Sequence, residues 1–383
     1  MKKNQDFKTL CVHAGELKDE QYGGAISPLY MSSSYAYNDV KISQYPRYFN
    51  TPNQRGVAEK IASIEGAKAG LLFGSGMAAI STALFSHLKS GDHVIFQNDL
   101  YGGTRNFILH EFPKYNIEFS FTSGLEVSDF ENEYKYNTKG FYIETPSNPS
   151  LKIVNIKAIC DLAKKTGIWT MIDNTFASPV NQNPISLGTD IVIHSATKYL
   201  GGHSDICAGV VLGSKATIDR VFDSAKNLGG SLSEYTVWLL ERSIKTLFIR
   251  VQAQNNNAKL IADFLENESW VERVYYPGLK SHPNHNIAKM QMKGFGGMLS
   301  FDLVPEIDSK KFLLGLDLIK PTISLAGIES TALSPSLTSH SLLTETERLS
   351  QGITHQMIRL SAGIESIGDL KNDLLQSIKK QNL

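Results

Sequence analysis

The sequence predicts an α/β fold in which a mostly parallel sheet has helices on both faces, followed by a smaller C-terminal α+β domain. From about residue 66 onward, short apolar segments alternate with helical patterns, which is typical of βα units. Each apolar segment ends in small or polar residues, as strands do at the edge of a sheet where ligands bind. The chain has 383 residues, enough for two or three domains with large cores.

The composition excludes several classes of protein. Lys and Arg together number 38 and so do Asp and Glu, so the formal net charge is zero and the basic excess of nucleic-acid-binding proteins is absent. The three cysteines lack the spacing of a zinc site or a disulfide framework. No apolar segment approaches the roughly 20 residues that a membrane span requires. We therefore expect a cytoplasmic protein that has no metal site and binds neither nucleic acid nor membrane.

Five apolar segments are the strand candidates of the parallel sheet. They comprise residues 70–73, 93–96, 140–143, 168–172 and 190–193. A helix pattern over 156–166, ended by Gly167, separates the third from the fourth. The polar residues that follow the strands are Ser75, Asn98, Asp99, Glu144, Asp173, Asn174, His194 and Ser195. Because the carboxyl ends of parallel strands share one edge, we expect one crevice to collect these side chains.

Changes in periodicity predict the domain boundaries. Residues 1–43 have little periodicity and predict an extended N-terminal arm. Residues 44–249 are predicted to form the large sheet domain, and a long helix pattern over 237–257 leads out of it. Residues 250–383 are predicted to form the smaller C-terminal domain.

A glycine-rich motif, Phe-Gly-Ser-Gly-Met-Ala-Ala at residues 73–79, follows a strand and opens a helix. The free N–H groups of such a helix N-terminus bind anions, and the glycines permit close approach, so the motif predicts a phosphate site. The same residues match the G-x-G-x-x-A fingerprint of dinucleotide-binding folds, with Asp99 at about the distance of a ribose-binding acid. A purely structural glycine turn is a third interpretation.

Lys198 follows a strand candidate, beside the hydroxyls of Ser195 and Thr197. A lone lysine is usually a solvated charge, but an amine in a partly desolvated crevice loses its proton more easily and can form a Schiff base. Asp173 ends another strand, either as a carboxylate that needs a cationic partner or as a helix N-cap. A phosphate loop, a lysine and an acid match the needs of pyridoxal phosphate, on whose ring Tyr101 could stack.

Several motifs, in order along the chain, resemble those of one enzyme family. They are Tyr-Pro-Arg at 45–47, Ser-Gly-Met-Ala-Ala at 75–79, Tyr-Gly-Gly-Thr at 101–104, Glu-Thr-Pro-Ser-Asn-Pro at 144–149, Asp-Asn-Thr-Phe at 173–176, Ser-Ala-Thr-Lys at 195–198 and Arg-Leu-Ser-Ala-Gly at 359–363. From about Ile26 to the C-terminus, the chain resembles the Cys/Met-metabolism family of pyridoxal-phosphate enzymes. The resemblance implies pyridoxal 5'-phosphate as cofactor and PLP fold type I, the aspartate aminotransferase-like fold.

The resemblance also implies a role for each cofactor-binding residue. Lys198 resembles the lysine that forms the Schiff base, and Asp173 resembles the partner of the pyridinium nitrogen. Tyr101 resembles the stacking ring that also helps to activate the substrate amine. Asn148 lies where the family contacts the phenolic oxygen of the cofactor. The implied phosphate ligands are Gly76, Met77, Ser195 and Thr197.

Two further implications concern the substrate and the assembly. Arg359, in a strand pattern over 357–361, resembles the arginine that clamps the α-carboxylate, a task suited to a planar guanidinium. Tyr45 and Arg47 resemble the pair that reaches the phosphate of the neighbouring subunit. This implies dimers with shared active sites, paired into homotetramers.

Two positions predict the reaction. Methionine γ-lyases typically carry a cysteine two residues after the stacking tyrosine, whereas this chain has Gly103, as the cystathionine enzymes do. The segment 324–330 resembles the one that faces the distal end of the substrate in cystathionine γ-lyases and synthases, which makes Ser324 and Glu329 the candidate substrate-binding residues, with Glu329 for the distal ammonium. The sequence therefore predicts a pyridoxal-phosphate-dependent carbon–sulfur lyase that converts cystathionine to cysteine, 2-oxobutyrate and ammonia.

Departures from the family pattern leave alternatives open. Gln44, Asn106 and the tripeptide at 234–236 replace residues that many members share, and Arg105 stands one place before the expected arginine. These positions surround the distal half of the substrate, so cystathionine β-lyase, cystathionine γ-synthase and methionine γ-lyase are the alternatives. A non-catalytic binding protein on the same fold, or a dehydrogenase that uses residues 74–79, would belong to a different class.

Overall fold

The computed structural model describes residues 5–338, 340, 341 and 344–381. Its strands are β1 Ala69–Phe73, β2 His93–Phe96, β3 Glu118–Phe121, β4 Thr138–Glu144, β5 Trp169–Asp173, β6 Ile191–His194, β7 Gly209–Gly213, β8 Val271–Tyr275, β9 Met298–Leu303, β10 Lys320–Pro321, β11 Thr331–Leu333 and β12 Met357–Ser361. Its α-helices are α1 Phe7–His13, α2 Pro52–Glu65, α3 Gly76–His87, α4 Gly102–Glu111, α5 Val127–Asn132, α6 Ile156–Thr166, α7 Ser178–Asn181, α8 Lys215–Leu228, α9 Glu234–Ile244, α10 Leu247–Leu265, α11 His285–Gln291, α12 Ser309–Gly315, α13 Glu345–Ser350 and α14 Ile367–Lys379.

The large sheet has the strand order β1-β7-β6-β5-β4-β2-β3. Strand β7 is antiparallel to both of its neighbours, and the remaining pairs are parallel. A smaller sheet, with the order β10-β11-β12-β9-β8, is antiparallel except for the β10–β11 pair. These two sheets confirm the predicted α/β fold with a mostly parallel sheet and a smaller C-terminal α+β unit.

Alternating residues of the central strands pack into two apolar layers, one on each face of the large sheet. In β4, Phe141 and Ile143 belong to one layer and Tyr142 to the other, as expected for a strand with helices on both faces. The strand is buried on both faces from Gly140 to Glu144 because helices cover each layer. Within the described part of the chain, no helix is long and apolar enough to cross a membrane.

Several elements differ from the sequence-based expectations. Strands β3 and β7 were not among the strand candidates. The predicted helix over 237–257 is wrong as a single element, because α9 ends before Lys245 and α10 begins after Thr246. The carbonyl of Ser243 accepts hydrogen bonds from Thr246 Oγ1 at 3.2 Å and Arg250 Nη2 at 3.0 Å. These side-chain bonds interrupt the regular backbone hydrogen bonds of a helix at this point.

The predicted N-terminal arm contains helix α1, which packs against α2, and an irregular stretch that follows it. The first four residues of the arm lie outside the described residues. The predicted boundary between residues 249 and 250 falls inside helix α10, so the helix itself links the two sheets. The domain boundaries stay predictions.

A buried polar cluster fixes the end of β6. His194 Nε2 lies 2.8 Å from Glu65 Oε2 at the end of α2, and Asn174 Nδ2 donates to Glu65 Oε1 at 3.4 Å. Asn174 Nδ2 also donates to the Gln182 carbonyl at 3.0 Å. Because these groups satisfy one another away from water, the chain immediately after β5 and β6 is held in one position.

Asp373 of α14 fixes the segment that leads to β10. Its carboxylate accepts hydrogen bonds from the N–H groups of Asp317 at 2.8 Å, Leu318 at 3.1 Å and Ile319 at 2.8 Å. Burial opposes ionisation of this carboxyl, but the hydrogen bonds outweigh it and hold the pKa of Asp373 below its usual value. The charged carboxylate therefore stabilises the fold.

Asp373→Ala should lower the free energy of unfolding by about 2 kcal/mol at neutral pH, because three backbone N–H groups lose their acceptor. Since the folded-state pKa is depressed, the stabilisation is present above the unfolded pKa of about 3.9 and is lost as the pH falls through the folded pKa. Urea unfolding at several pH values measures both effects, with the exposed neighbour change Asn372→Ala as control. Equal stability of the two variants at pH 7 would contradict the assignment.

Candidate active site

A cavity of about 840 Å³ opens at the carboxyl edge of the large sheet. Four of the predicted strand-end residues line it, namely Ser75, Glu144, Asp173 and Ser195. The other strand-end residues point elsewhere. Asp99 forms an ion pair with Lys152 at 2.9 Å, and Asn98 accepts a hydrogen bond from Arg105. The predicted crevice thus exists, but it does not collect every strand-end side chain.

The anion-binding end of the cavity is the N-terminus of α3. Ser75 is its N-cap, and the Ser75 Oγ accepts from the N–H of Ala78 at 3.0 Å. The N–H groups of Gly76 and Met77 have no acceptor among the described residues, and both residues line the cavity. A Cβ on Gly76 would lie 2.8 Å from Ser195 Cβ, so only glycine allows Ser195 this close. The arrangement suits an anion.

Ser195 and Thr197 line the same end of the cavity. The N–H of Ser195 donates to Thr175 Oγ1 at 2.8 Å, and the described contacts leave the Ser195 hydroxyl available to a ligand. Thr197 Oγ1 accepts from the N–H of Ala208 at 3.0 Å and donates to its carbonyl at 3.2 Å. Thr197 must therefore turn its proton away from Ala208 to donate to an anion.

Asp173 presents a buried carboxylate to the middle of the cavity. It is 6% exposed and accepts a hydrogen bond from the N–H of Thr175 at 3.0 Å. Burial raises the pKa of Asp173, and no described lysine, arginine or histidine forms an ion pair with it. A buried carboxylate without a cation favours a positively charged ligand group.

Lys198 lies on the floor of the cavity, just after β6. Its Nζ donates to Ser324 Oγ at 3.4 Å, which is the one hydrogen bond of this amine within the described part of the chain. Burial, and then the positive charge of Arg359, lower the pKa of Lys198 from its usual value. The amine is therefore loosely held and deprotonates more easily than a surface lysine, as a nucleophile requires.

Tyr101 forms the rim of the cavity, with 43% of its surface exposed. A Cβ on Gly103 would lie 2.5 Å from Cε1 of the Tyr101 ring, so the glycine makes room for that ring. Glu144 accepts from the N–H of Tyr101 at 2.8 Å and from the N–H of Asn148 at 3.2 Å. Burial and the nearby Asp173 raise the pKa of Glu144 well above its usual range, although the two backbone hydrogen bonds oppose that shift.

Arg359, from β12 of the small sheet, is 4% exposed. Its Nη1 donates to Asn148 Oδ1 at 2.9 Å, and its Nη2 donates to the carbonyl of Ser324 at 3.2 Å. Burial lowers the pKa of Arg359 to about 10, so it is charged at neutral pH. Arg359, Asn148 and Ser324 all line the cavity.

Three predicted site residues do not line this cavity. Tyr45 is largely exposed, and Arg47 donates to the carbonyl of Lys226 with its guanidinium 5.0 Å from the ring centre of Tyr48. Glu329 is also absent from the cavity wall, and its carboxylate lies beside Gly327. The roles of Tyr45, Arg47 and Glu329 stay predictions.

The cavity wall also contains residues for which the sequence predicted no role. They include Arg105, Cys207, Ile323, His340 and Glu347, together with the strand-end residue Glu144. Only two of them had any signal in the sequence, since Glu144 stands inside a quoted motif and Arg105 stands one place from an expected arginine.

The residues present fit pyridoxal phosphate. Gly76 and Met77 offer free N–H groups to the phosphate, and Asp173 offers a buried negative charge to the ring nitrogen. Lys198 offers an amine with a lowered pKa, and Tyr101 offers an aromatic face at the rim. This set of donors, acid and amine suits that cofactor better than a dinucleotide, which has no use for a Schiff-base lysine.

Comparisons with known proteins agree with this assessment. Residues 8–379 match the model of the family described as Cys/Met metabolism PLP-dependent enzyme. A cystathionine β-lyase of Lactococcus lactis is 41% identical over 98% of this chain and 99% of the relative. A cystathionine γ-lyase of Bacillus subtilis is 41% identical over 97% of this chain and 99% of the relative.

A solved structure has the same fold over the whole length. It is a cystathionine γ-lyase from Lactobacillus plantarum complexed with L-serine, with a TM-score of 0.94 at 38% identity, and it covers 98% of this chain and 99% of its own. The family match and these relatives identify an enzyme that uses pyridoxal phosphate. The chain therefore belongs to the pyridoxal-phosphate-dependent enzymes of cysteine and methionine metabolism.

Proposed function

We propose that this enzyme is a cystathionine γ-lyase, which cleaves the bond between Cγ and sulfur and releases cysteine, 2-oxobutyrate and ammonia. The observation that carries the proposal is that the Lys198 amine has one long hydrogen bond among the described residues, to Ser324 Oγ at 3.4 Å. Elimination at Cγ requires protons to leave both Cα and Cβ, so the base must reach two neighbouring atoms. Gly103, which replaces the cysteine typical of methionine γ-lyases, supports the choice of cystathionine.

The cofactor-binding residues have separate tasks in this proposal. Gly76, Met77, Ser195 and Thr197 hold the phosphate, and Asn148 contacts the phenolic oxygen. Bound pyridoxal phosphate supplies an electron sink for the charge that develops when Cα loses its proton. Asp173 keeps the ring nitrogen protonated, because its buried carboxylate is more stable beside a positive charge.

The substrate is oriented by Arg359 and Tyr101. The guanidinium of Arg359 binds the α-carboxylate by donating two parallel hydrogen bonds to it. One of them requires that Nη2 leave the Ser324 carbonyl. Tyr101, which lines the cavity, takes the proton of the incoming ammonium when it is in its phenolate form and so makes the substrate amine nucleophilic. Lys198 then removes the proton from Cα and, in a second step, a proton from Cβ.

A second candidate reaction is β-elimination, which gives homocysteine, pyruvate and ammonia. The relative from Lactococcus lactis that is named a cystathionine β-lyase favours it, since it is as similar to this chain as the γ-lyase from Bacillus subtilis. Both reactions use the same Cα proton transfer by Lys198. They differ in whether the Cβ proton is also removed.

The proposal includes a homotetramer in which each active site is shared across a dimer interface. Tyr45 and Arg47 lie outside the cavity of their own chain, as residues that contact the phosphate of a neighbouring subunit would, and Arg47 would exchange its hydrogen bond to the Lys226 carbonyl for that contact. The arm before them exposes large apolar side chains, including Tyr22, Met31 and Tyr37, which a second subunit would cover.

The reaction itself is tested by product analysis. We expect cystathionine to yield 2-oxobutyrate and cysteine in equal amounts, measured by mass spectrometry or with specific dehydrogenases. Pyruvate and homocysteine in their place would assign the enzyme as a β-lyase and contradict the proposal.

Lys198→Ala should abolish covalent attachment of the cofactor. The wild-type protein is expected to be yellow, and borohydride reduction should fix the cofactor to Lys198, as detected by peptide mass spectrometry. The variant should show neither property. A wild-type protein that stays colourless with added pyridoxal phosphate would refute the role of Lys198.

Asp173→Asn should lower turnover by about 10²-fold or more while the cofactor stays bound, because an amide cannot hold the pyridinium proton. Steady-state kinetics and the visible absorbance measure the two effects. Asp99→Asn is the matched control, because Asp99 pairs with Lys152 outside the cavity. Wild-type turnover in Asp173→Asn would eliminate the proposed role.

A further inference from the structure

Two buried carboxyl groups among the described residues line the cavity, those of Asp173 and Glu144. The proposed function gives Asp173 a partner in the ring nitrogen, but it gives Glu144 no task. Glu144 is the last residue of β4 and lies opposite Asp173 of β5 in the parallel register. It is 4% exposed and forms no ion pair with a described residue. Because burying a carboxyl group is costly, its hydrogen bonds indicate what it does.

Glu144 connects two loops at the carboxyl edge of the large sheet. Its Oε2 accepts from the N–H of Tyr101 at 2.8 Å, and its Oε1 accepts from the N–H of Asn148 at 3.2 Å. Tyr101 lies in the loop between β2 and α4, and Asn148 lies in the loop after β4. The N–H of Glu144 donates to Gln97 Oε1 at 3.1 Å, so its side chain starts from a fixed backbone. One carboxyl group therefore sets how the two loops lie relative to each other.

The position of the Tyr101 ring depends on this connection. The residue is 43% exposed, so packing holds its ring less firmly than that of a buried aromatic residue. Tyr101 is the N-cap of α4 but makes no side-chain capping hydrogen bond. Its backbone bond to Glu144 therefore fixes the point from which the proposed stacking ring extends.

Asn148 is oriented from two sides. Glu144 accepts from its backbone N–H, and its side-chain Oδ1 accepts from Arg359 Nη1 at 2.9 Å. With Oδ1 engaged, Nδ2 is the part of the amide that donates to the phenolic oxygen of the bound cofactor. The position of this donor therefore depends on Glu144 as well.

We infer that Glu144 is a positioning residue, which holds the Tyr101 ring and the Asn148 amide against the bound cofactor through its two carboxyl oxygens. The inference rests on the proposed function for the roles of Tyr101 and Asn148, and it applies equally to elimination at Cβ or Cγ. It also explains the residue type, because both oxygens of a carboxyl group accept hydrogen bonds. A glutamine has one oxygen, and its amide nitrogen would face the second N–H without accepting from it.

The test follows the cofactor without substrate, so it does not depend on which bond the enzyme cleaves. Absorbance of the holoenzyme as a function of pH gives the pKa of the Schiff base, and circular dichroism of the visible band reports the tilt of the cofactor ring. The variants are Glu144→Gln, Glu144→Ala, Asn148→Ala, and Glu144→Gln combined with Asn148→Ala.

Asp302→Asn is the matched control. Asp302 is also 4% exposed, and each of its oxygens accepts one hydrogen bond at 2.6 Å, from Tyr275 and Thr354. It does not line the cavity. Urea unfolding of the apoproteins should show lower stability for Glu144→Gln and for Asp302→Asn. The control therefore separates a loss of stability from an effect on the cofactor.

Glu144→Gln should raise the pKa of the Schiff base by about one unit, because its oxygen keeps the shorter bond to Tyr101 and Asn148 is displaced. The phenolic oxygen then loses a hydrogen bond that stabilises its negative charge when the Schiff base is deprotonated. Asn148→Ala should raise the pKa as well, and the combined variant should raise it no further, because both changes remove the same donor. Glu144→Ala should in addition weaken the circular dichroism band, because Tyr101 also loses its acceptor.

Asp302→Asn should match the wild type in both spectra. An unshifted pKa in Glu144→Gln, an equal shift in the control, additive shifts in the combined variant, or a wild-type circular dichroism band in Glu144→Ala would overturn the inference. Product analysis of cystathionine turnover judges the proposed function separately.

Discussion

The hydrogen bonds of the buried Arg359 organise the whole site. Its two terminal nitrogens donate to Asn148, in the loop after β4 of the large sheet, and to Ser324, in the segment before β11 of the small sheet. Ser324 in turn accepts the hydrogen bond of Lys198. Because a buried guanidinium needs hydrogen-bond partners, these bonds hold both sheets in place relative to the lysine. The cavity owes its shape to this connection between distant parts of the chain.

Much of the fold could be predicted because the central strands are buried on both faces and therefore appear as continuous apolar segments. The missed strands lack that signal. Strand β3 is an edge strand in which Glu118 and Ser120 alternate with phenylalanines, and β7 is a short apolar segment between two glycines. The break between α9 and α10 was missed because it depends on tertiary contacts of Arg250 with Ser243.

The cofactor-binding residues could be predicted from the sequence because their positions depend on nearby residues in the chain. Lys198 and Asp173 each follow a strand directly, so their placement needs only the sheet. The rest of the cavity wall is different, because α4 and His340 come together only through folding. Glu329 was predicted from the resemblance of segment 324–330 to the segment that faces the substrate in the family. It does not line the cavity, and Ala326, between Ser324 and Glu329, has a left-handed φ of 65°.

The proposed role of the Lys198 amine as base at both Cα and Cβ is best tested by deuterium exchange into L-norvaline. Norvaline has no leaving group at Cγ, so the proton transfers can be followed by NMR in D₂O without elimination. We expect exchange at Cα and at Cβ with the wild-type enzyme, and at neither carbon with Lys198→Ala supplied with cofactor. Exchange at Cα alone, or undiminished Cβ exchange in the variant, would contradict it.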